Sequence, residues 1–144
     1  MAISKILFIA DASREALTSI VGALRVIKKD QLSIRAILLS FLSAFPEKDF
    51  SPLGPNTLFL LMQEEKEIVE LIKKHFARMN IPCSFDFITM PNWEKLVEET
   101  EKGDQDLIIL QGKVLKIWST SSQDFRLCAH TTNRPKCPVL VINH

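Results

Sequence analysis

The chain has 144 residues, a formal net charge of +1, 47% hydrophobic and 24% charged residues. That length fits one domain spanning residues 1–144, able to bury its own core. The small net charge gives no electrostatic case for nucleic acid or an acidic membrane, and no apolar run approaches the roughly 20 residues needed to cross a bilayer.

Lys5–Ala10 is an unbroken apolar run after one lysine and reads as a first strand. It faintly resembles a signal peptide but is too short and ends on an acid. Asp11, Ala12 and Ser13 follow as a loop rich in cap-forming types. Ala16, Leu17, Ile20, Ala23, Leu24 and Ile27 then recur at helical spacing, predicting a helix over about Arg14–Lys29. Ile34–Phe41 is a second apolar strand. Pro46–Pro55 holds three prolines and a glycine and reads as a loop. Asn56 or Thr57 is placed to cap a helix over Leu58–Met79, with Leu61, Ile68, Leu71, Ile72 and Phe76 as its buried face and His75 on its surface. Asn80 ends it.

Cys83–Met90 is a third strand. Ser84, Asp86 and Thr89 interrupt its apolar character, as in an edge strand. Pro91 and Asn92 open a helix over Trp93–Lys102, which Gly103 closes. Asp106–Leu110 and Pro138–Ile142 are two further apolar runs. Residues 111–137 between them are enough for a helical crossover and too many for a hairpin. The alternation of strands and helices predicts a parallel α/β sheet with helices on both faces. In such sheets ligands sit beyond the carboxyl ends of the strands, which directs attention to Gly112.

The strand ending in Asp11-x-Ser13, the run Asp106–Gly112 and the terminal Cys137–Ile142 together resemble the universal stress protein family over nearly the whole chain. The resemblance implies a five-stranded Rossmann-like sheet of the adenine nucleotide alpha hydrolase-like kind. With the right-handed crossover rule it predicts strand order 3-2-1-4-5, with Asp11 and Gly112 on one rim. Many family members bind ATP through Gly-x-x-Gly, a nine-residue spacer, then Gly-Ser or Gly-Thr. Laid on this chain from Gly112, the second glycine falls on Leu115, the third on Phe125 and the hydroxyl on Arg126. A side chain where backbone must approach phosphate occupies the phosphate's volume, so ATP binding by the usual loop is expected to be weak. Asp11 keeps the place of the family's aspartate beside the nucleoside; its other reading is a helix cap or loop acid. If ATP, AMP or another adenine nucleotide binds, Asp11, Ser13 and Gly112 are the candidate contacts. Phe41 falls near the expected adenine position and reads as a core phenylalanine.

Other chemistries find less support. Cys128, His130, Cys137 and His144 match no standard zinc spacing, so no metal site is expected. A nucleophilic cysteine has no readable base beside it, and the chain does not read as an enzyme. A phosphorelay receiver wants paired acids after strand one, an aspartate ending strand three and a lysine ending strand five; Asp11 stands alone, and the other two strands end at Thr89-Met90 and Asn143-His144. A related ATP pyrophosphatase wants a Ser-Gly-Gly loop where Asp11-Ala12-Ser13 stands. Trp93 and Trp118 read as packing anchors. Three cysteines, Cys83, Cys128 and Cys137, suggest no disulfide framework and so a cytoplasmic protein. Val139, Leu140, Val141 and Ile142 form an apolar edge strand with only two residues after it, so a homodimer through that edge is expected. The reading at this stage is a dimeric regulatory or interaction protein of stress response, its protein partner unidentified.

Overall fold

The computed structural model describes residues 3–25, 27, 31–41, 54–102, 104–121 and 137–142, with backbone alone for 54–59 and 121. The elements run β1 (Lys5–Asp11), α1 (Arg14–Leu24), β2 (Ser33–Ser40), α2 (Gly54–Arg78), β3 (Cys83–Thr89), α3 (Trp93–Lys102), β4 (Leu107–Gln111), α4 (Gly112–Ser121) and β5 (Val139–Ile142). The strands form one five-stranded sheet in the order β3-β2-β1-β4-β5. All four pairings are parallel, in the register Ile9 to Ile37, Ile9 to Leu110, Ile37 to Asp86 and Leu110 to Val141. The order reverses between β1 and β4, as expected.

Side-chain alternation in the strands builds two cores. Ile6, Phe8 and Ala10 of β1, with Ile34, Ala36 and Leu38 of β2, meet Ile20 and Leu24 of α1 and Ile68, Ile72 and Phe76 of α2. Leu7 and Ile9, with Ile37, Leu39, Ile108 and Leu110, meet Leu96 and Val97 of α3 and Val114 and Trp118 of α4. This double coverage explains why the central strands are apolar without alternation. Trp118 is fully buried and stacks on Trp93 at 5.9 Å and 13°, while Phe41 leans on Trp93 at 6.2 Å. These aromatics are packing anchors of the second core.

Several boundaries and burials differ from the sequence reading. α1 ends at Leu24, where Arg25 N–H turns back to Gly22 O and tightens the last turn. Of its expected extension to Lys29, positions 26, 28 and 29 lie outside the described residues, as do 46–53 of the Pro46–Pro55 loop and Gly103. α2 begins at Gly54, so Pro55, Asn56 and Thr57 lie inside it and neither polar residue is its cap. Proline is tolerated in a first turn, where its missing N–H has no partner to lose. Leu71 is 47% exposed, because the buried stripe steps by four through Ile68, Ile72 and Phe76 and leaves Leu71 to its side. His75 is half-buried, not a surface residue, and its Nε2 is enclosed without a hydrogen-bond partner among the described residues. Asn80 takes φ 57° just past α2, a conformation asparagine tolerates. β3 is an edge strand, as its mixed sequence implied.

Asp106 precedes β4 and clamps the amino end of the sheet. Its Oδ2 accepts hydrogen bonds from the backbone N–H of Ser4 and of Lys5 and from the Ser4 hydroxyl, each at 3.0 Å. The two backbone N–H groups hold its carboxyl below the usual range. Among the described residues no helix is long and apolar enough to cross a membrane.

Candidate functional site

The reversal of strand order falls between β1 and β4, whose carboxyl ends mark the position where open α/β sheets bind ligands. Asp11 and Gly112 lie on this rim, as the topology required. Asp11 is the last residue of β1 and only 6% exposed. Its backbone N–H donates to Gln111 Oε1 at 3.0 Å, tying the tips of β1 and β4 together. Ser13 occupies the N-cap position of α1 with extended backbone, yet its side chain makes no cap bond. Its hydroxyl donates instead to Asp11 Oδ1. The other oxygen, Oδ2, receives the ammonium of Lys113 at 2.9 Å. Asp11 is therefore neither a helix cap nor a loop acid. It is a buried strand-end carboxylate already held on both oxygens.

Gly112 is not in a loop. It is the first residue of α4, which starts directly from Gln111 at the end of β4. Leu115, at the second glycine position of the resembled loop, faces inward and packs against the second core. Phe125 and Arg126 lie outside the described residues. On the β2 side of the rim, the Ser40 hydroxyl donates to Glu65 Oε1 at 2.8 Å. Burial lifts the Glu65 carboxyl above the usual range; the Ser40 bond opposes this and the charge of Asp11 adds to it. The hydrogen bond to Asp11 holds the Lys113 ammonium above its ordinary pKa against the opposing effect of burial.

Sequence reasoning named Asp11, Ser13 and Gly112 and missed Gln111, Lys113, Ser40 and Glu65. One sign of Lys113 was available: a cation in the first turn of a helix sits at the wrong end of the helix dipole, so an acidic partner is called for.

A cavity of about 410 Å³ lies away from this rim, at the amino ends of the strands, lined by Lys5, Ser33, Arg35, Cys83 and Asp104 among others. Its cations are spoken for, Lys5 by Asp104 at 3.5 Å and Arg35 by Asp86 at 2.9 Å. Burial pushes the Cys83 thiol up to about 12, far from a nucleophilic thiolate. Among the described residues no group of three or more His, Cys, Asp and Glu is arranged to hold a metal ion.

No protein-family model and no curated protein sequence matches the chain. Solved structures do. A protein from the universal stress protein family from Burkholderia pseudomallei is 15% identical over 97% of this chain and 96% of that one, with a TM-score of 0.57. A universal stress protein from Lactobacillus plantarum is 16% identical over 99% of each chain, with a TM-score of 0.59. A universal stress protein family protein from Arabidopsis thaliana, solved with AMP bound, is 13% identical over 98% of this chain and 92% of that one, with a TM-score of 0.58. This chain is an α/β protein with the universal stress protein fold. The resemblance carried by Asp11, the Asp106–Gly112 run and Cys137–Ile142 thus holds at the level of architecture.

Proposed function

We propose that the chain is a universal-stress-protein-like regulatory or interaction protein that does not hold ATP stably. It works without catalysing a reaction, in the cytoplasm and as a homodimer. One observation carries the reading: α4 starts directly at Gly112 with Leu115 packed against the second core, so among the described residues no open glycine turn follows β4 to wrap a phosphate chain. The closed state of Asp11 agrees with it. The half-exposed apolar strand β5, at one edge of the sheet, supplies the pairing surface. Two copies of Val139–Ile142 would pair antiparallel about a two-fold axis.

A second reading has one observation in its favour. Asp11, Ser13 and Gly112 share the switch-point rim, and the Arabidopsis protein of the same fold was solved with AMP bound. On that reading the chain binds an adenine nucleotide through Asp11 and an altered loop after Gly112. Purified protein denatured and read at 260 nm separates the two. The first reading expects no released nucleotide; stoichiometric adenine nucleotide would favour the second.

A further inference from the structure

The ion pair at the switch point explains more than local stability. A carboxylate offers two oxygens and about four acceptor directions. At Asp11 the Ser13 hydroxyl takes one oxygen and the Lys113 ammonium takes the other. The Lys113 side chain is 60% exposed and the Asp11 carboxylate 9%, so the lysine reaches back from the solvent side and caps a buried charge. Its place in the first turn of α4 works against the helix dipole, so the lysine does not serve the helix. A neutral side chain there would suit α4 better, while leaving Asp11 its charge, the Ser13 hydroxyl and the unfavourable field of Glu65.

Open α/β sheets bind ligands beyond the carboxyl ends of their strands at the switch point, and in dinucleotide-binding sheets an acid beside that crevice accepts the ribose 2′-hydroxyl. Asp11 stands on this rim as an acceptor of the same chemistry. We propose that Lys113 is a built-in occupant of this site: it holds the Asp11 oxygen that a nucleoside diol needs and so sets the site's specificity against nucleosides. The inference rests on the reading that this chain does not hold ATP and gives that reading a second cause, separate from the missing glycines. The two causes act on different parts of a nucleotide. The loss of the glycine turn acts on the phosphates, whereas Lys113 acts on the sugar.

Adenosine, which carries no phosphate, isolates the second cause. Calorimetry with adenosine compares the unchanged protein with Lys113→Met, which removes the ammonium, and Lys113→Arg, which keeps a cation. Lys113→Met is expected to bind adenosine about tenfold or more tightly than the unchanged protein. Lys113→Arg stays at the unchanged level, and 2′-deoxyadenosine, which lacks the diol, gains nothing from Lys113→Met. A folded Lys113→Met with unchanged adenosine affinity overturns the proposal, and so does an equal gain for 2′-deoxyadenosine. A second variant, Lys113→Ala, keeps the test open if Lys113→Met does not fold. Lys113→Ala also removes the ammonium and frees the Asp11 oxygen, with a side chain that suits the first turn of α4. Lys113→Ala should bind adenosine severalfold more tightly than the unchanged protein, with no gain for 2′-deoxyadenosine; an unchanged or weaker adenosine affinity overturns the proposal. Micromolar ATP binding by the unchanged protein would instead overturn the reading on which it rests, so the two failures are distinct.

Discussion

Replacing Glu99 by glutamine removes the anion at the centre of the largest charge cluster among the described residues. The Glu99 side chain is 9% exposed and faces three cations. Arg35 bonds its Oε2, and Lys95 and Lys102 reach its Oε1 at 3.0 and 3.3 Å. Arg35 also bridges to Asp86 on β3, so the cluster fastens α3 across β2 and β3. The Lys95 hydrogen bond, opposed by burial and reinforced by Arg35 and Lys102, pulls the Glu99 carboxyl down to about 2 from 4.5. At about 1.4 kcal/mol per pH unit that drop bounds the charge's contribution at about 3 kcal/mol. Lys95 and Lys102 are 44% and 62% exposed, so solvent screening reduces it to about 1–2 kcal/mol. The sign follows from the depressed value. The contribution is complete above pH 4.5, falls as pH drops below it, and is gone near pH 2. Urea unfolding at pH 7 should place Glu99→Gln about 0.5–1 M below the unchanged protein, with an unaltered slope of about 2 kcal/mol per M. The gap should close progressively between about pH 5 and pH 2. A gap that stays constant across that range would refute the electrostatic account and assign the loss to packing. No gap at pH 7 would show that the cluster adds nothing to stability.

Asp106→Ala should cost about 1–3 kcal/mol in urea unfolding, because it strips three hydrogen bonds from the start of β1 and leaves the Ser4 and Lys5 N–H groups without the carboxylate. Amide exchange at Ser4 and Lys5 should quicken first, and unaltered exchange there would deny Asp106 its clamping role. Leu140→Lys should convert the proposed dimer to monomer or aggregate in light scattering, since a charge enters the half-exposed apolar edge strand. An unchanged chain that remains monomeric at high concentration would remove the dimer from the account.

The sheet was legible because its chemistry is local. Every strand but the mixed edge strand β3 is a short, mostly apolar run, and the central strands lack alternation because both their faces are covered. Trp93–Lys102 was readable to the residue because Pro91 and Asn92 mark its start and an apolar pair, Leu96 and Val97, anchors it. The start of α2 was misjudged because Gly54 and Pro55 usually break structure, yet a helix's first turn accommodates both. Leu71 was misplaced because a helical stripe drawn on sequence is wider than the surface α2 buries. The rim shows the deeper reason. Asp11 was found because it ends a strand next to its own local sequence signature. Its partners Gln111 and Lys113 lie about a hundred residues away in the chain. Nothing in either stretch alone says that they meet; only the parallel pairing of β1 with β4 brings them together. The Asp106 clamp, separated from Ser4 by 102 positions, escaped notice for the same reason.

Calorimetric titration of ATP into the unchanged protein tests the central claim most directly, with the triple variant Leu115→Gly, Phe125→Gly, Arg126→Ser titrated beside it. The account predicts binding at about millimolar or weaker for the unchanged chain, near −4 kcal/mol, and a measurably tighter constant for the folded triple variant. Micromolar ATP binding by the unchanged chain, or a normally folded triple variant with no gain, would contradict it.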